Sequence, residues 1–518
     1  MAKLKPADIK KLVNKRFDEK KPFLTLCQSL AENFYPERAD FTLKRNVGYE
    51  ISDNLLASAP ILMRRDLGNA FDAMLRDGNS WFNMTAEDID KPGKEWMQWA
   101  TKRQSKTMYK RETRFVRSAK EGDHDFAAFG QYVMSIEPNR DYNGILYNTW
   151  HLRDCAWWDG ADGEVCGVAR DWNPQLTQLL QYFGEKNLHP NMLKNKENNM
   201  LTEHKIYHVF LPMEEYGEDN PKKYVSIFLD VVNEHVIEET FTDRKMYIVP
   251  RFQHMTGSAY AISPASMIAL PDARMLQAMT HTLMEAGERH ARPPLMATIK
   301  AVTSAVDLNP DGLTWIKDDY DQKTGRALEP LYQDRGGFPI GLELRDSILE
   351  TLSDAFYLSK LNLPEVSREM TAYEVSERMK QYRREVLPLF APMEHEANAQ
   401  ICERTFDLMM DMNLFGSPYD IPESLRGKDV EFKFESPLSI AEEEKRITQF
   451  QQVGDILAQA AQFDQSAPLN IDIDEALREA VQATGAPEKW LASLDEVAQS
   501  RAMAQQEAAQ MAEMQATA

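Results

Sequence analysis

The chain is poor in cysteine: four in 518 residues, scattered at Cys27, Cys155, Cys166 and Cys402. Cys155 and Cys166 lack the second pair that a zinc ribbon needs, so the thiols read as reduced and buried rather than as a metal or disulfide framework. No run of eighteen or more apolar residues occurs, and no basic segment followed by an apolar one opens the sequence. A membrane span and a secretory signal are therefore not expected, and the chain reads as one kept in cytosol-like surroundings. Also missing are GxxxxGK[ST] to cradle phosphates, HExxH, GxSxG, and a GxGxxG between strand and helix. These absences argue against an enzyme and give no reason to expect a cofactor. Gly122-Asp123-His124-Asp125 pairs a histidine with carboxylates as a metal phosphohydrolase would, but no second His-rich cluster supplies further ligands. Asp318, Asp319 and Asp321 with Gly325 resemble a calcium loop only loosely, because the glycine is misplaced and no Glu closes the twelfth position. Asp472, Asp474 and Glu475 read as helix caps. No metal site is expected.

Positive charge is scarce overall. The formal net charge is −21, yet residues 1–120 hold 24 Lys/Arg against 16 Asp/Glu. An acidic bulk argues against a surface that clamps DNA, which would cluster cations to displace counterions. It does not exclude DNA as cargo: a lumen lined with carboxylates repels a duplex and suits something that must slide. Ordinary solubility charge explains the same balance.

A chain of this length suggests about two to four domains. Its N-terminal part reads as helical over Pro6 to Phe34, with Lys10, Lys11, Lys15, Arg16, Lys20 and Lys21 on the exposed side. Further helices are expected over Asn54–Arg76, Glu95–Tyr109 and Phe115–Phe129. Trp96 and Trp99, three apart, share a face; core packing explains them better than base stacking. From Gln131 short β-rich runs follow: Tyr132–Ile136, Gly144–Tyr147, Val165–Ala169, Lys205–Leu211, Tyr224–Asp230, Val236–Phe241 and Met246–Arg251. One helix, Asn173–Phe183, interrupts them. Helices first and antiparallel strands later make an α+β domain in a predominantly helical chain.

Pro264–His290 returns to helix, with Met275, Met279, Leu283 and Ala286 on one face. After a small β-containing insert, Leu344, Ile348, Leu352 and Phe356 mark another helix. Thr371-Ala-Tyr-Glu374 is a capping box opening a long helix through Val375, Met379, Tyr382, Val386, Leu389, Met393, Ala397 and Ile401 to Leu414, stopped by Gly416. Such a helix spans about 65 Å, and Pro388 and Pro392 inside it predict a bend. Val430–Phe434 alternates as a strand expected to return to the first sheet. A second capping box, Ser439–Glu442, opens an Ala-, Gln- and Met-rich helical tail.

The run MTAYEVSERMKQYRREVLPLFAPMEHEANAQICERTFDLMMDMNLFG is similar to the long kinked helix of portal proteins, the head-to-tail connectors of short-tailed phages. The run SPASMIALPDARMLQAMTHTLMEAGERHARPPL resembles the same family's Leu-Pro-Asp entry and Pro-Pro exit. The resemblance implies a subunit with a wing (1–262), a first stem helix (263–294), a clip (295–338) and a second stem helix (339–359). A tunnel loop (360–370), a long kinked wing helix with its return strand (371–438) and a helical crown (439–518) complete it. It further implies a ring of twelve at a unique capsid vertex of the virion, assembled in host cytoplasm, through which double-stranded DNA is packaged and ejected. The implied partners are the terminase large subunit, a tail adaptor, scaffolding and major capsid proteins, and internal core proteins. Lys360, Asn362, Pro364, Glu365, Arg368 and Glu369 would face DNA in the tunnel loop, and Asp307, Asn309, Asp311 and Gly312 would dock partners at the clip. Alternatives that keep long helices are another ring-forming tail or adaptor protein, and a soluble helical enzyme or regulator.

Overall fold

The computed structural model describes residues 3–43, 55–76, 81–86, 90–139, 142–194, 200–291, 295–297, 328–330, 337–361, 385, 388–417 and 421–434, with scattered positions between 450 and 503. In chain order, helices α1 (Pro6–Phe34) and α2 (Ala59–Leu75) precede strand β1 (Phe82–Thr85) and helices α3 (Lys91–Met108) and α4 (Phe115–Phe129). Strands β2 (Val133–Pro138), β3 (Ile145–Trp150), β4 (Cys155–Asp159) and β5 (Val165–Trp172) follow, then helix α5 (Leu176–Phe183) and strand β6 (Ile206–Pro212). The short α6 (Met213–Tyr216) leads into β7 (Tyr224–Asp230), β8 (His235–Thr242) and β9 (Tyr247–Ile248). The rest comprises α7 (Ser266–Ala291), β10 (Leu295–Ala297), β11 (Leu328–Pro330), α8 (Gly337–Ala355), α9 (Leu358–Leu361), α10 (Ala399–Asp411) and β12 (Glu431–Phe434). Two compact units share the chain: unit 1 takes residues 1–24, 68–264 and 363–518, and unit 2 takes residues 25–67 and 265–362.

Unit 1 is built on two antiparallel sheets, a five-stranded meander β4-β5-β6-β7-β8 and a three-stranded sheet β3-β2-β9. The period-2 alternation of strands sends Tyr207, Val209 and Leu211 to one face, where Ile9 and Val13 of α1 join them with Val225, Ile227 and Leu229. Ile206 points to the other face, which α5 covers with Leu176, Leu179 and Phe183. Between the sheets' strands sits His208, 1% exposed; its Nε2 lies 2.8 Å from the Ser226 hydroxyl and its Nδ1 2.6 Å from the Tyr247 hydroxyl. Its ring stacks on Phe228 at 4.0 Å. Burial, with the Arg170 charge nearby, pushes its pKa well below 6.5.

Several expectations are corrected here. Lys20 is fully buried instead of facing solvent: its ammonium donates to the carbonyls of Leu152 and Cys155 and sits 4.4 Å from the Trp157 ring centroid. β4 was not foreseen as a strand, and both its tryptophans are buried. The return strand exists as β12, but it pairs with β1, Phe82 opposite Phe434, in a two-stranded sheet and joins neither larger one. The long helix is described only from residue 385 on. Two residues past Pro392 it takes a π-helical turn, Glu394–Asn398, where Ala399 N–H bonds the Glu394 carbonyl. It then ends at Asp411, three residues before Leu414. Asn413 takes φ 53°, Leu414 N–H reaches Met409 and Asn413 N–H reaches Met410, a Schellman closure with asparagine in the place usually held by glycine.

Candidate functional site

In unit 2, α7 and α8 pack against each other, and small residues set how closely. A Cβ on Gly341 would come within 2.7 Å of the Leu283 side-chain terminus, so a larger residue there would have to displace that methyl group. The residues α7 buries fully are Ala269, Ala273 and Leu276; of the expected stripe Met279, Leu283 and Ala286 are half-buried, Leu283 against Gly341 of α8, while Met275 is 49% exposed. Gln277 pins the chain ahead of α2, accepting from Leu56 N–H at 2.8 Å and Ala57 N–H at 2.9 Å and donating to the Ala57 carbonyl at 2.8 Å. On α8 the expected stripe divides. Ile348, Leu352 and Phe356 are buried, Phe356 against Phe34 at 5.4 Å, while Leu344 and, one turn earlier, Ile340 stand 51% and 66% exposed. The helix pair therefore carries exposed apolar side chains, Ile340, Leu344 and Met284 near the insert and Ile268 and Met275 farther from it.

The insert begins and ends in paired backbone: β10 and β11 are antiparallel, with Leu295 opposite Pro330 and Ala297 opposite Leu328. Asp307, Asn309, Asp311 and Gly312 lie outside the described residues, as do Asp318, Asp319, Asp321 and Gly325. Helix α8 stops at Ala355, and Tyr357, at φ 59°, turns the chain into α9. Lys360 is exposed on α9, its ammonium 5.8 Å from the Tyr357 ring. Asn362, Pro364, Glu365, Arg368 and Glu369, with both capping boxes and Asp472, Asp474 and Glu475, fall outside the described residues. Only Lys360 of the loop candidates is thus placed.

The other sequence candidates have structural employment. Asp123 is buried and ion-paired with Arg76, whose other amino group donates to Asn398 Oδ1 on the π-turn at 3.0 Å. Burial pushes the Asp123 carboxyl up to about 6, while Arg76 pulls it down. His124 packs on Gly68, and no group of three or more His, Cys, Asp or Glu able to hold a metal occurs among the described residues. Trp96 and Trp99 do share a face, their rings 5.9 and 6.3 Å from Phe415, but Trp99 stays 44% exposed. Cys27, Cys155 and Cys402 are buried and Cys166 half-buried, none in a disulfide; burial pushes Cys155 up to about 12 and Cys166 up to about 11.

Residues 7–491 match the family described as bacteriophage head to tail connecting protein. The chain is 23% identical over 447 residues to the probable portal protein of Bordetella phage BPP-1, covering 82% of this chain and 77% of that one. It is 21% identical over 411 residues to the portal protein of Salmonella phage epsilon15, covering 77% and 72%. Among solved structures, a chain from the virion of a native gene transfer agent particle aligns at 11% identity and a TM-score of 0.37, covering 82% of this chain and 94% of its own. A chain from the neck of a native particle of that kind, treated with C12 symmetry, aligns at 11% identity and a TM-score of 0.36, covering 76% and 89%.

Proposed function

Because this chain belongs to the bacteriophage head to tail connecting proteins, we propose that it is the portal subunit of a short-tailed phage. Copies of it close into a ring, twelve by family expectation, at one vertex of the capsid, and double-stranded DNA enters and later leaves through the ring. The observation that carries the ring is the set of uncovered apolar side chains on α7 and α8. Ile340, Leu344, Met275 and Met284 are exposed on helices that bury other residues, and covering them with a partner would stabilise the assembly. A second copy supplies one through a heterologous contact, which closes when the rotation per subunit divides the circle.

In this reading α7 and α8 are the stem, the segment 295–338 is the clip that docks the terminase large subunit and then the tail adaptor, and 360–370 is the tunnel loop. Residues 1–262 form the wing and 439–518 the crown, which meet capsid, scaffolding and internal core proteins. Exposed Lys360 supports a phosphate-facing role for the loop's start, since a flexible ammonium makes transient contacts without a fixed geometry. Sedimentation of the purified protein at micromolar concentration, followed by negative-stain imaging, tests the proposal. Closed rings with a central hole are expected, and a well-folded 59.5 kDa monomer alone would sink it.

A further inference from the structure

The N-terminal excess of positive charge has a location. Between Lys102 and Lys120 stand eight Lys/Arg and one Asp/Glu, a local balance of +7 within a chain of net charge −21. Ten residues of this segment are exposed, and eight of them are cations: Lys102, Arg103, Lys106, Lys110, Arg111, Arg114, Arg117 and Lys120. The other two are Glu112 and Val116. Among the described residues none of the eight cations forms a salt bridge. The chain holds 81 Asp and Glu, so acids to neutralise this surface were available and are not placed there.

The frame under the cations is tied by hydrogen bonds and ring contacts within unit 1. Gln104 donates to the Cys402 carbonyl at 2.9 Å, the Ser118 hydroxyl donates to the Tyr147 carbonyl at 2.7 Å, and Thr149 donates back to the Ser118 carbonyl at 2.7 Å. Phe115 packs on Tyr109 and Tyr147 at 5.4 and 5.1 Å. Two features of this frame work against the subunit alone. Arg114 caps α4 in the left-handed region, φ 62°, a conformation that glycine or asparagine adopts more cheaply. Arg117 then sits in the first turn of a 15-residue helix that has no acidic residue there, at the positive end of the helix dipole. Like charges close in sequence and a cation at a helix N-terminus both cost the free subunit stability, and an anionic ligand reverses these two electrostatic costs.

We infer that the surface from Lys102 to Lys120 binds the phosphate backbone of duplex DNA without reading sequence, as a DNA contact separate from the 360–370 loop. A protein partner fits less well, because interface cores are depleted of charged residues and enriched in aromatics, whereas this surface is nearly all cation. The acid elsewhere in the chain does not prevent binding, since repulsion between exposed charges fades beyond about 10 Å at 0.1 M salt. The choice of DNA as the anion rests on the portal reading; the cationic surface does not.

The test uses the full chain and a fluorescein-labelled 30-base-pair duplex of random sequence, with anisotropy followed from 50 to 200 mM NaCl. If about six cations reach phosphates, the slope of log affinity against log salt is about −5 and affinity falls about a thousandfold over that range. Replacing Lys106→Gln, Lys110→Gln, Arg111→Gln and Arg117→Gln flattens the slope by about 3, while the charge-preserving pair Arg111→Lys and Arg117→Lys leaves it unchanged. Ring formation is measured in parallel by sedimentation. Rings with no DNA binding at 50 mM salt, or an equal slope in the four-fold variant, overturn the inference and leave the portal reading standing. Rings lost only in the four-fold variant assign the surface to a neighbouring subunit and overturn it too. Tighter binding to poly-glutamate than to the duplex assigns it to an acidic protein with the same result. Absence of rings in every form, with DNA binding intact, counts against the portal reading alone.

Discussion

His208 links pH to the stability of unit 1 with a sign that can be worked out. Its imidazole is 1% exposed, held between the Ser226 and Tyr247 hydroxyls and stacked on Phe228. Burial, with Arg170 near, keeps its folded-state pKa well below the 6.5 of an unperturbed histidine. Below pH 6.5 the unfolded chain therefore takes up a proton that the folded chain refuses. The stability this neutral ring contributes is fully present above that pH and is lost as pH falls toward the folded pKa. For one such group the loss between pH 7.5 and 5.5 is about 1.4 kcal/mol. Other groups also titrate: burial raises Glu238, Glu396, Glu403 and Asp407, which acts in the opposite direction. Comparison with His208→Gln cancels them, because glutamine keeps a donor and an acceptor but takes up no proton. Urea unfolding followed by tryptophan emission at pH 7.5 and 5.5 should show the wild type losing about 1.4 kcal/mol more than the variant over that interval. Equal losses in the two proteins would show that His208 titrates normally and that its burial does not govern its charge.

Three further outcomes are expected. Lys20→Met keeps the stem's bulk but takes away the donor shared by the Leu152 and Cys155 carbonyls, and should cost about 2 kcal/mol in urea unfolding; an unchanged midpoint would show that water replaces the ammonium. Leu344→Asp with Ile340→Asp, both exposed in the subunit, should change subunit stability by less than about 0.5 kcal/mol while raising the concentration needed for rings at least tenfold, as read by sedimentation. Deleting Asn362 to Ser367 should leave rings intact but alter the length or retention of packaged DNA, and normal values for both would remove that loop from the mechanism.

Where local pattern and local packing agree, the sequence was easy to read. Proline at the first turn of α1, the left-handed glycine after α4 (Gly130, φ 72°) and the β-branched and aromatic runs of β6 and β7 each reflect physics within a few residues. The misses share a cause, which is a partner far away in sequence. β1 exists because it finds β12 some 350 residues later, Phe82 opposite Phe434, and four residues carry no period long enough to announce that. β4 reads Ala-Trp-Trp, apolar on both faces, because both faces are covered and alternation is lost. Lys20 was placed in solvent by residue type. Carbonyls and rings from β4 and the segment before it make a buried ammonium tolerable, and α1 alone gives no sign of them.

On α7 the error was one of size. Met275 was drawn into the stripe by its size and is exposed, while Ala269, Ala273 and Leu276 are the residues fully packed and Leu283 of the stripe is half-buried against α8. Small residues face a neighbour that comes close, as glycine does at Gly341 against Leu283, and large ones are left for a contact the subunit cannot make alone. The same division applies to charge. The sequence placed the positive excess in its first 120 residues, but only burial shows that between Lys102 and Lys120 the fold turns Gln104, Ser105, Met108, Phe115 and Ala119 inward and leaves all eight cations exposed. Exposed methionine and leucine on one unit and unneutralised lysine and arginine on the other are thus residues the subunit leaves unsatisfied, and each kind names the chemistry of what should meet it: apolar surface from another copy in the first case, phosphate in the second.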